Sequence, residues 1–164
     1  MSTYQANRQE RSFDVSYAAF TSAFEGLLGR VDIAGLTEIT TIGADAARAK
    51  LASMLGPLDF ALFQKIDHGA VLRALTAKPA GAITYVFGNA LIAFEMTKRD
   101  PRAGLYVPLR LLAQDIGPER VLVTYDLPSA SLRQFASAAI DEVARSLDDK
   151  IERLLAETIE RARS

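Results

Sequence analysis

Alternation of apolar and polar residues predicts the strands of this chain. Side chains in a strand point to opposite faces in turn, so one buried face gives a period of two. This pattern, or a short buried apolar run, occurs at residues 9–15, 60–66, 82–87, 105–113 and 120–126. The loop Asp115–Glu119 is short enough to make the last two strands an antiparallel hairpin. Pro108 lacks an N–H for the sheet and therefore suggests an edge position or a bulge in its strand.

Apolar residues three and four positions apart predict the helices. Ser16 and Asp67 are suitable N-caps, because their side-chain oxygens can accept hydrogen bonds from the first free N–H groups of a helix. The dipeptide Gly56-Pro57 ends an alanine-rich helix, because proline cannot continue the hydrogen-bond ladder. The predicted helices cover residues 17–28, 44–55, 68–75, 90–96 and a long segment 131–162, with Ser129 or Ser131 as the cap of the last. Residues 30–43 are predicted to be a loop with at most a short helical turn.

The order of these elements predicts an α+β fold. The chain has a strand, two helices, four strands with short helices between them, and then a long helix. We therefore expect a mostly antiparallel sheet of about five strands covered by helices. Residues 1–8 show no periodicity and are expected to form a mobile arm. Residues 9–164 are expected to form one domain, since 164 residues can bury most of their apolar surface in a single core.

Composition excludes several classes of protein and site. The chain has no cysteine, which rules out disulfides and cysteine-ligated zinc or iron–sulfur clusters. Its 19 basic and 20 acidic residues give no excess positive charge for nucleic acid. No run approaches the length of a transmembrane helix, and the polar N-terminal segment lacks a signal-peptide core. These features predict a soluble cytoplasmic protein without a nucleic-acid or membrane partner.

Five short fragments together resemble a known family. They are FQKIDHG, GNALIAFEM, AGLYVPLRLL, VTYDLPS and SLDDKI, in this order between about Phe13 and Leu155. In this order they resemble the DUF302 family of uncharacterised proteins, and most closely its longer proteobacterial and fungal members. The resemblance implies a TBP-like arrangement of a strand, a helix, four strands and a helix, and it brings no established activity. The chain differs where the family often has Gly-Asn-Pro and His-Asp, because it has Gly88-Asn89-Ala90 and Arg99-Asp100 there.

His68 is the only histidine and the first candidate for chemistry. Its charge changes near neutral pH, so it could bind a ligand or transfer a proton, yet it could equally be a structural residue at the start of a helix. We expect it at the junction of a strand and a helix, in contact with the segment Gly88–Met96 and lining a cavity with it. A zinc site is not expected, since one histidine without cysteine would need several carboxylates.

Further candidate residues surround this histidine in the sequence. The segment Gly88-Asn89 could present backbone N–H groups to an anion, although such a dipeptide also serves as a plain turn. Met96 could join His68 as a haem ligand, but a methionine in this context also fills a core. Asp67, Tyr106 and Pro108 complete the candidate set, because they place polar or rigid groups beside apolar strands. No cofactor and no metal are predicted from the sequence.

Three functions follow as hypotheses. The first is a binding protein that holds a small, largely apolar ligand between the sheet and the helices. The second is an enzyme in which His68 and either Asp67 or Asp126 form an acid–base pair. The third is an assembly protein, because the long last helix exceeds what a small sheet needs and its far end, Ile151–Ile159, could pack on a second copy. A homodimer is expected on that basis.

Overall fold

The computed structural model describes residues 4–78 and 81–164. Its strands are β1 (Arg8–Phe13), β2 (Gly29–Arg30), β3 (Ala61–Asp67), β4 (Ala82–Gly88), β5 (Leu109–Gly117) and β6 (Arg120–Asp126). Its helices are α1 (Tyr17–Leu27), α2 (Ile33–Glu38), α3 (Ala44–Ser53), α4 (His68–Thr76), α5 (Ala90–Thr97), α6 (Pro128–Leu132) and α7 (Ala138–Arg163). Two 3₁₀ helices, Pro101–Tyr106 and Arg133–Phe135, connect them.

The strands form one sheet in the order β1-β6-β5-β4-β3-β2. Every pairing is antiparallel except that of β2 with β3, which is parallel. The predicted α+β class is therefore confirmed, and the five predicted strands all lie in this one sheet. The expected antiparallel hairpin is also present, since Gly117 of β5 pairs with Arg120 of β6.

The sixth strand, β2, was not predicted. It is two residues long, too short to show a period in the sequence. The N–H of Gly29 donates to the carbonyl of Phe60 at 2.9 Å, and the N–H of Gly56 donates to the same oxygen at 2.9 Å. A Cβ on Gly29 would lie 2.0 Å from the carbonyl oxygen of Met54. This glycine is therefore required by a close approach of two backbone segments.

One face of the sheet packs against α1 and α7. Aromatic side chains dominate this contact: the ring of Phe24 in α1 lies 4.9 Å from the ring of Tyr85 and 5.6 Å from that of Phe87, both in β4. All three side chains are buried. Each contributes about 1.5–3 kcal/mol by leaving water, so this face holds the main core.

The strand containing Pro108 begins later than predicted. Residues expected to start it form the 3₁₀ helix Pro101–Tyr106, and β5 begins at Leu109. The Val107–Pro108 peptide bond is cis. Since β5 lies inside the sheet and Pro108 precedes it, this proline needs neither the edge position nor the bulge that the sequence suggested. Bulges occur elsewhere, at the register shifts between Leu62 and Gln64 and between Asp115 and Gly117.

The predicted C-terminal helix is interrupted near its predicted start. Ala136 has a φ of 48°, which ends the preceding turn, and Ser137 then caps α7 by accepting a hydrogen bond from the N–H of Ile140 at 3.4 Å. Ser129 and Ser131 are therefore not the caps of this helix. The apolar residues at the far end of α7 are already buried within the single chain; they are Ile151, Leu154, Leu155 and Ile159. The expected need for a second copy at this end of α7 is therefore wrong.

The start of the chain is partly described. Residues 1–3 of the predicted mobile arm lie outside the described residues. Arg8 already belongs to β1, and the carbonyl of Asn7 accepts a hydrogen bond from the N–H of Leu127 at 2.9 Å. Within the described ranges, none of the helices is both long and apolar enough to cross a membrane.

Candidate functional site

An apolar pocket of about 220 Å³ lies where β4 ends and α5 begins. Its wall combines the β4–α5 turn at Gly88 and Asn89, residues of α5 including Met96, and the segment Val107–Leu109 that leads into β5. Leu147 of α7 and Phe63 of β3 complete it. Asn89 and Thr97 are the polar side chains among the described lining residues, so the pocket is suited to an apolar molecule.

Asn89 fixes the shape of the turn at the pocket. Its side-chain oxygen accepts hydrogen bonds from the N–H groups of Leu91 at 2.9 Å and Ile92 at 3.2 Å, and its amide donates to the carbonyl of Asp59 at 3.0 Å. A cap of this kind stabilises a helix by about 1 kcal/mol. Because Asn89 already occupies these N–H groups, the start of α5 does not present them to an anion. The plain-turn interpretation of Gly88-Asn89 is the one that the geometry supports.

Gly88 is small because the pocket wall approaches it closely. A Cβ on this residue would lie 3.3 Å from the Cβ of Pro108 and 3.8 Å from the ring of Phe63. Phe63 itself is the residue skipped by the register shift between Leu62 and Gln64. Bulges re-aim side chains, and this bulge accounts for how a residue of β3 reaches the pocket. A bulge cannot be recognised from a single sequence, so Phe63 was missed.

The rim of the pocket carries positive charge around one aromatic ring. Phe94, which lines the pocket and is 43% exposed, has the guanidinium of Arg48 at 5.5 Å and the ammonium of Lys98 at 5.0 Å from its ring centre. Lys98 also pairs with Glu95 at 2.5 Å, and this hydrogen bond lowers the pKa of Glu95. The mouth of an apolar cavity is therefore bordered by two cations.

His68 lies at the opposite end of β3 and β4. In their antiparallel register Ala61 pairs with Gly88 at the pocket, whereas Asp67 pairs with Ile83. Six residues of strand separate Ala61 from Asp67, a distance of about 20 Å at the usual rise. His68 is exposed, and its Nε2 lies 3.1 Å from the hydroxyl of Thr84. The prediction that His68 contacts Gly88–Met96 and lines a cavity with it is wrong.

The expected acid–base pair is not assembled either. Asp67 is the N-cap of α4: its carboxylate accepts a hydrogen bond from the N–H of Ala70 at 2.8 Å and pairs with Arg73 at 3.3 Å. The hydrogen bond from Ala70 is the main cause of the lowered pKa of Asp67. Asp126 pairs with Arg8 at 3.0 Å on the other side of the sheet. Among the described residues, neither carboxylate is hydrogen-bonded to His68.

The remaining candidates separate into two places. Met96 is fully buried beside the pocket and far from His68, so the two do not form an axial pair for haem. Tyr106 lies outside the pocket in a separate aromatic cluster, with its ring 5.6 Å from that of Tyr4 and 5.9 Å from that of Phe135. Within residues 4–78 and 81–164, no group of three potential metal ligands comes together.

Four of the seven sequence candidates therefore meet at one site. They are Gly88, Asn89, Met96 and Pro108, all of which line the pocket. In the sequence these four residues are a glycine, a helix N-cap, a flexible apolar side chain and a proline, and each lies near the end of a strand or of the helix that follows it. His68, Asp67 and Tyr106 lie elsewhere. Leu147 was missed because only the packing of α5 against α7 brings it near.

The comparisons with known proteins agree with this fold and add no activity. The family model described as "Domain of unknown function DUF302" matches residues 37–158. A solved structure titled "Crystal structure of uncharacterized conserved protein DUF302 from Bacillus stearothermophilus" is similar, with a TM-score of 0.61 and 10% sequence identity. The match covers 94% of this chain and 97% of that one, and at this identity it shows the fold alone. None of the curated proteins matches this sequence.

Proposed function

The chain belongs to the DUF302 family, and we propose that it binds a small, largely apolar molecule in the pocket between β4, α5 and the start of β5. One observation carries the proposal: the pocket is lined almost wholly by apolar side chains. Ligand sites in proteins are typically concave and mostly apolar, with few polar groups that fix orientation. His68 and Asp67, which were expected to form an acid–base pair, lie at the other end of β3 and β4, so binding is favoured over catalysis.

The size of the pocket limits the ligand. Its volume is about 220 Å³, and a dry cavity of about 150 Å³ is enough for benzene. The proposed ligand therefore has one or two rings or a short aliphatic chain. Larger molecules would have to extend through the rim.

The polar groups indicate the remaining chemistry of the ligand. Asn89 is committed to capping α5, so Thr97 supplies the hydroxyl for a hydrogen bond inside the pocket. Arg48 and Lys98 at the rim favour an uncharged or weakly acidic group over a cationic one. We therefore expect an apolar body with a single hydroxyl or carboxyl group.

Mass spectrometry and a defined probe test the proposal. Ala93 lines the pocket, and Ala93→Phe would fill it, whereas Ala156→Phe makes the same change at an exposed position of α7. Native mass spectrometry of protein purified from its own host should show added mass that Ala93→Phe loses and Ala156→Phe keeps. With 2-naphthol as the probe, we expect fluorescence titration to give binding to wild type and Ala156→Phe.

Two results would count against the pocket. The first is the absence of both retained mass and 2-naphthol binding in the wild-type protein. The second is equal binding by Ala93→Phe and Ala156→Phe, provided that both variants give the circular dichroism spectrum of the wild type. That result would place any bound molecule outside the pocket.

A further inference from the structure

The second face of the sheet differs sharply from the face that packs against α1 and α7. One row of paired residues crosses five strands and consists of Arg11, Val123, Ala113, Ile83 and Asp67. Its three central members are buried. The next row points the opposite way, because neighbouring residues in a strand alternate in direction. It runs through Glu10, Thr124, Leu112, Thr84 and Ile66, and every member is partly or fully exposed.

Helix α4 extends this exposed surface. The contact between His68 and Thr84 places the start of α4 against this second face. Three apolar side chains of α4 are open to solvent: Val71 is 58% exposed, Leu72 46% and Leu75 81%. Leu72 and Leu75 follow Val71 by one and four positions, so the three residues share one side of the helix. They are exposed, whereas the central residues of the first sheet face are buried.

We propose that this surface, which comprises Ile66, Val71, Leu72, Leu75, Thr84 and Leu112 and is called the open patch, binds a second copy of the chain about a twofold axis. Five of these six side chains are apolar and partly or fully exposed, and an exposed apolar patch marks an interaction site. A twofold dimer uses the same patch on both partners. The interface proposed here differs from the far end of α7, where the sequence suggested dimerisation.

The second face of the sheet and α4, which together contain the open patch, are large enough for a dimer. At the usual strand spacing and rise, five strands of about seven residues present a face of roughly 450 Å² in projection, and a nine-residue helix adds roughly 150 Å². A specific interface needs about 1,000 Å² in total, or about 500 Å² from each partner. The surface available on one chain is therefore sufficient without any contribution from other parts of the molecule.

The charges around the open patch favour a copy of itself over an anionic partner. Asp67 pairs with Arg73 beside α4, and Asp126 pairs with Arg8 at the β1 edge. Glu10 and Arg110 add one exposed charge of each sign. Nucleic acid or an acidic membrane surface would need an excess of basic residues. A patch that contains both positive and negative side chains can place unlike charges opposite each other in a twofold dimer. Two chains of formal charge −1 also repel each other little.

Sedimentation equilibrium on the full chain, from about 5 to 200 µM, tests the proposal. We expect wild type to have twice the monomer mass, and Leu72→Glu/Leu75→Glu to dissociate at least ten times more readily. Leu105→Glu is the matched control, since Leu105 is 80% exposed, like Leu75 at 81%, but lies on the 3₁₀ helix Pro101–Tyr106 outside the patch. It should remain dimeric. Leu112→Arg, on the β5 side of the patch, should also become monomeric while keeping the wild-type circular dichroism spectrum.

Several outcomes would overturn the proposal. A monomeric wild type at 200 µM excludes the dimer, whatever other molecules the patch then binds. A dimer that survives Leu72→Glu/Leu75→Glu, or that Leu105→Glu disrupts equally, places the interface elsewhere. A dimer that survives Leu112→Arg shows that the sheet face is not part of it. Failure here leaves the apolar pocket untouched, because none of these substitutions lies in its wall.

Discussion

The two ends of the β3–β4 pair are built alike in sequence but differ in what surrounds them. At each end a capping residue, Asp67 or Asn89, starts a short helix that follows a strand. Helix α5 packs against α3, α7 and the 3₁₀ helix Pro101–Tyr106, and an apolar pocket remains between these elements. Helix α4 makes its main contacts with β4 and leaves three apolar side chains exposed. Local signals therefore decide where a helix forms, and distant parts of the chain decide whether it is covered.

The largest expected contrast between the two ends is in stability. Met96 on α5 is fully buried, whereas Leu75 on α4 is 81% exposed. Met96→Ala should lower the free energy of unfolding by about 2–5 kcal/mol, because it removes buried contacts and leaves a cavity. Leu75→Ala, measured in the Leu112→Arg background that we expect to be monomeric, should change it by no more than about 0.5 kcal/mol. Urea denaturation gives both values. Similar losses of unfolding free energy at the two positions would contradict the expected difference between the two ends.

A smaller effect should appear at alkaline pH and involves Tyr17, whose pKa is influenced by Asp67 and Arg73 at the α4 end. Burial, with the charge of Asp67 next in importance, raises the pKa of Tyr17 to about 12. The unfolded chain loses this proton near pH 10 and the folded chain only near pH 12, so proton loss favours the unfolded state. Stability should be insensitive to this group below pH 10 and should fall between pH 10 and 12.

The variant Tyr17→Phe isolates this effect. Phenylalanine has no proton to lose, so the urea midpoint of Tyr17→Phe should fall less between pH 10 and 12 than that of wild type. The two proteins should have parallel midpoints below pH 9. Equal declines above pH 10 would show that Tyr17 ionises as readily in the folded protein as in the unfolded chain.

The smallest expected effect is that of His68. It is exposed, and its Nε2 lies 3.1 Å from the hydroxyl of Thr84. His68→Ala should change the free energy of unfolding by less than about 0.5 kcal/mol and leave 2-naphthol binding unchanged. A selective loss of probe binding would connect the two ends of the sheet and contradict the separation described above.

The sequence predicted most of the sheet because its signal is local. Strands β4 and β6 have the expected alternation, and their predicted bounds are within one residue of those observed. The start of β5 was placed too early because residues 105–107 are apolar enough to resemble a strand, while the proline and glycine of the segment Pro101–Tyr106 favour a 3₁₀ turn. The two-residue β2 exists only because Gly29 and Gly56 allow two backbone segments to meet, which no periodicity reveals.

The site could be predicted only in part, for a related reason. Asn89 and Met96 drew attention by their residue types, and both line the pocket. His68 drew attention because it is chemically versatile and unique in the chain, but these properties say nothing about its neighbours. Its distance from the pocket depends on the antiparallel register of β3 and β4, which sets Ala61, and not Asp67, beside Gly88.

The two borders of the sheet limit the ways in which this protein can aggregate. An outer strand with free N–H and C=O groups is a template for adding strands from other molecules, and proteins block it with bulges, charges or very short strands. Here β2 covers only the first two residues of β3, and beyond it come the bulge at Phe63 and the charged Lys65. At the other border, β1 carries Arg8 and Glu10. Growth of fibrils by strand addition is therefore disfavoured on both sides, and the proposed dimer would use the face of the sheet instead of its borders.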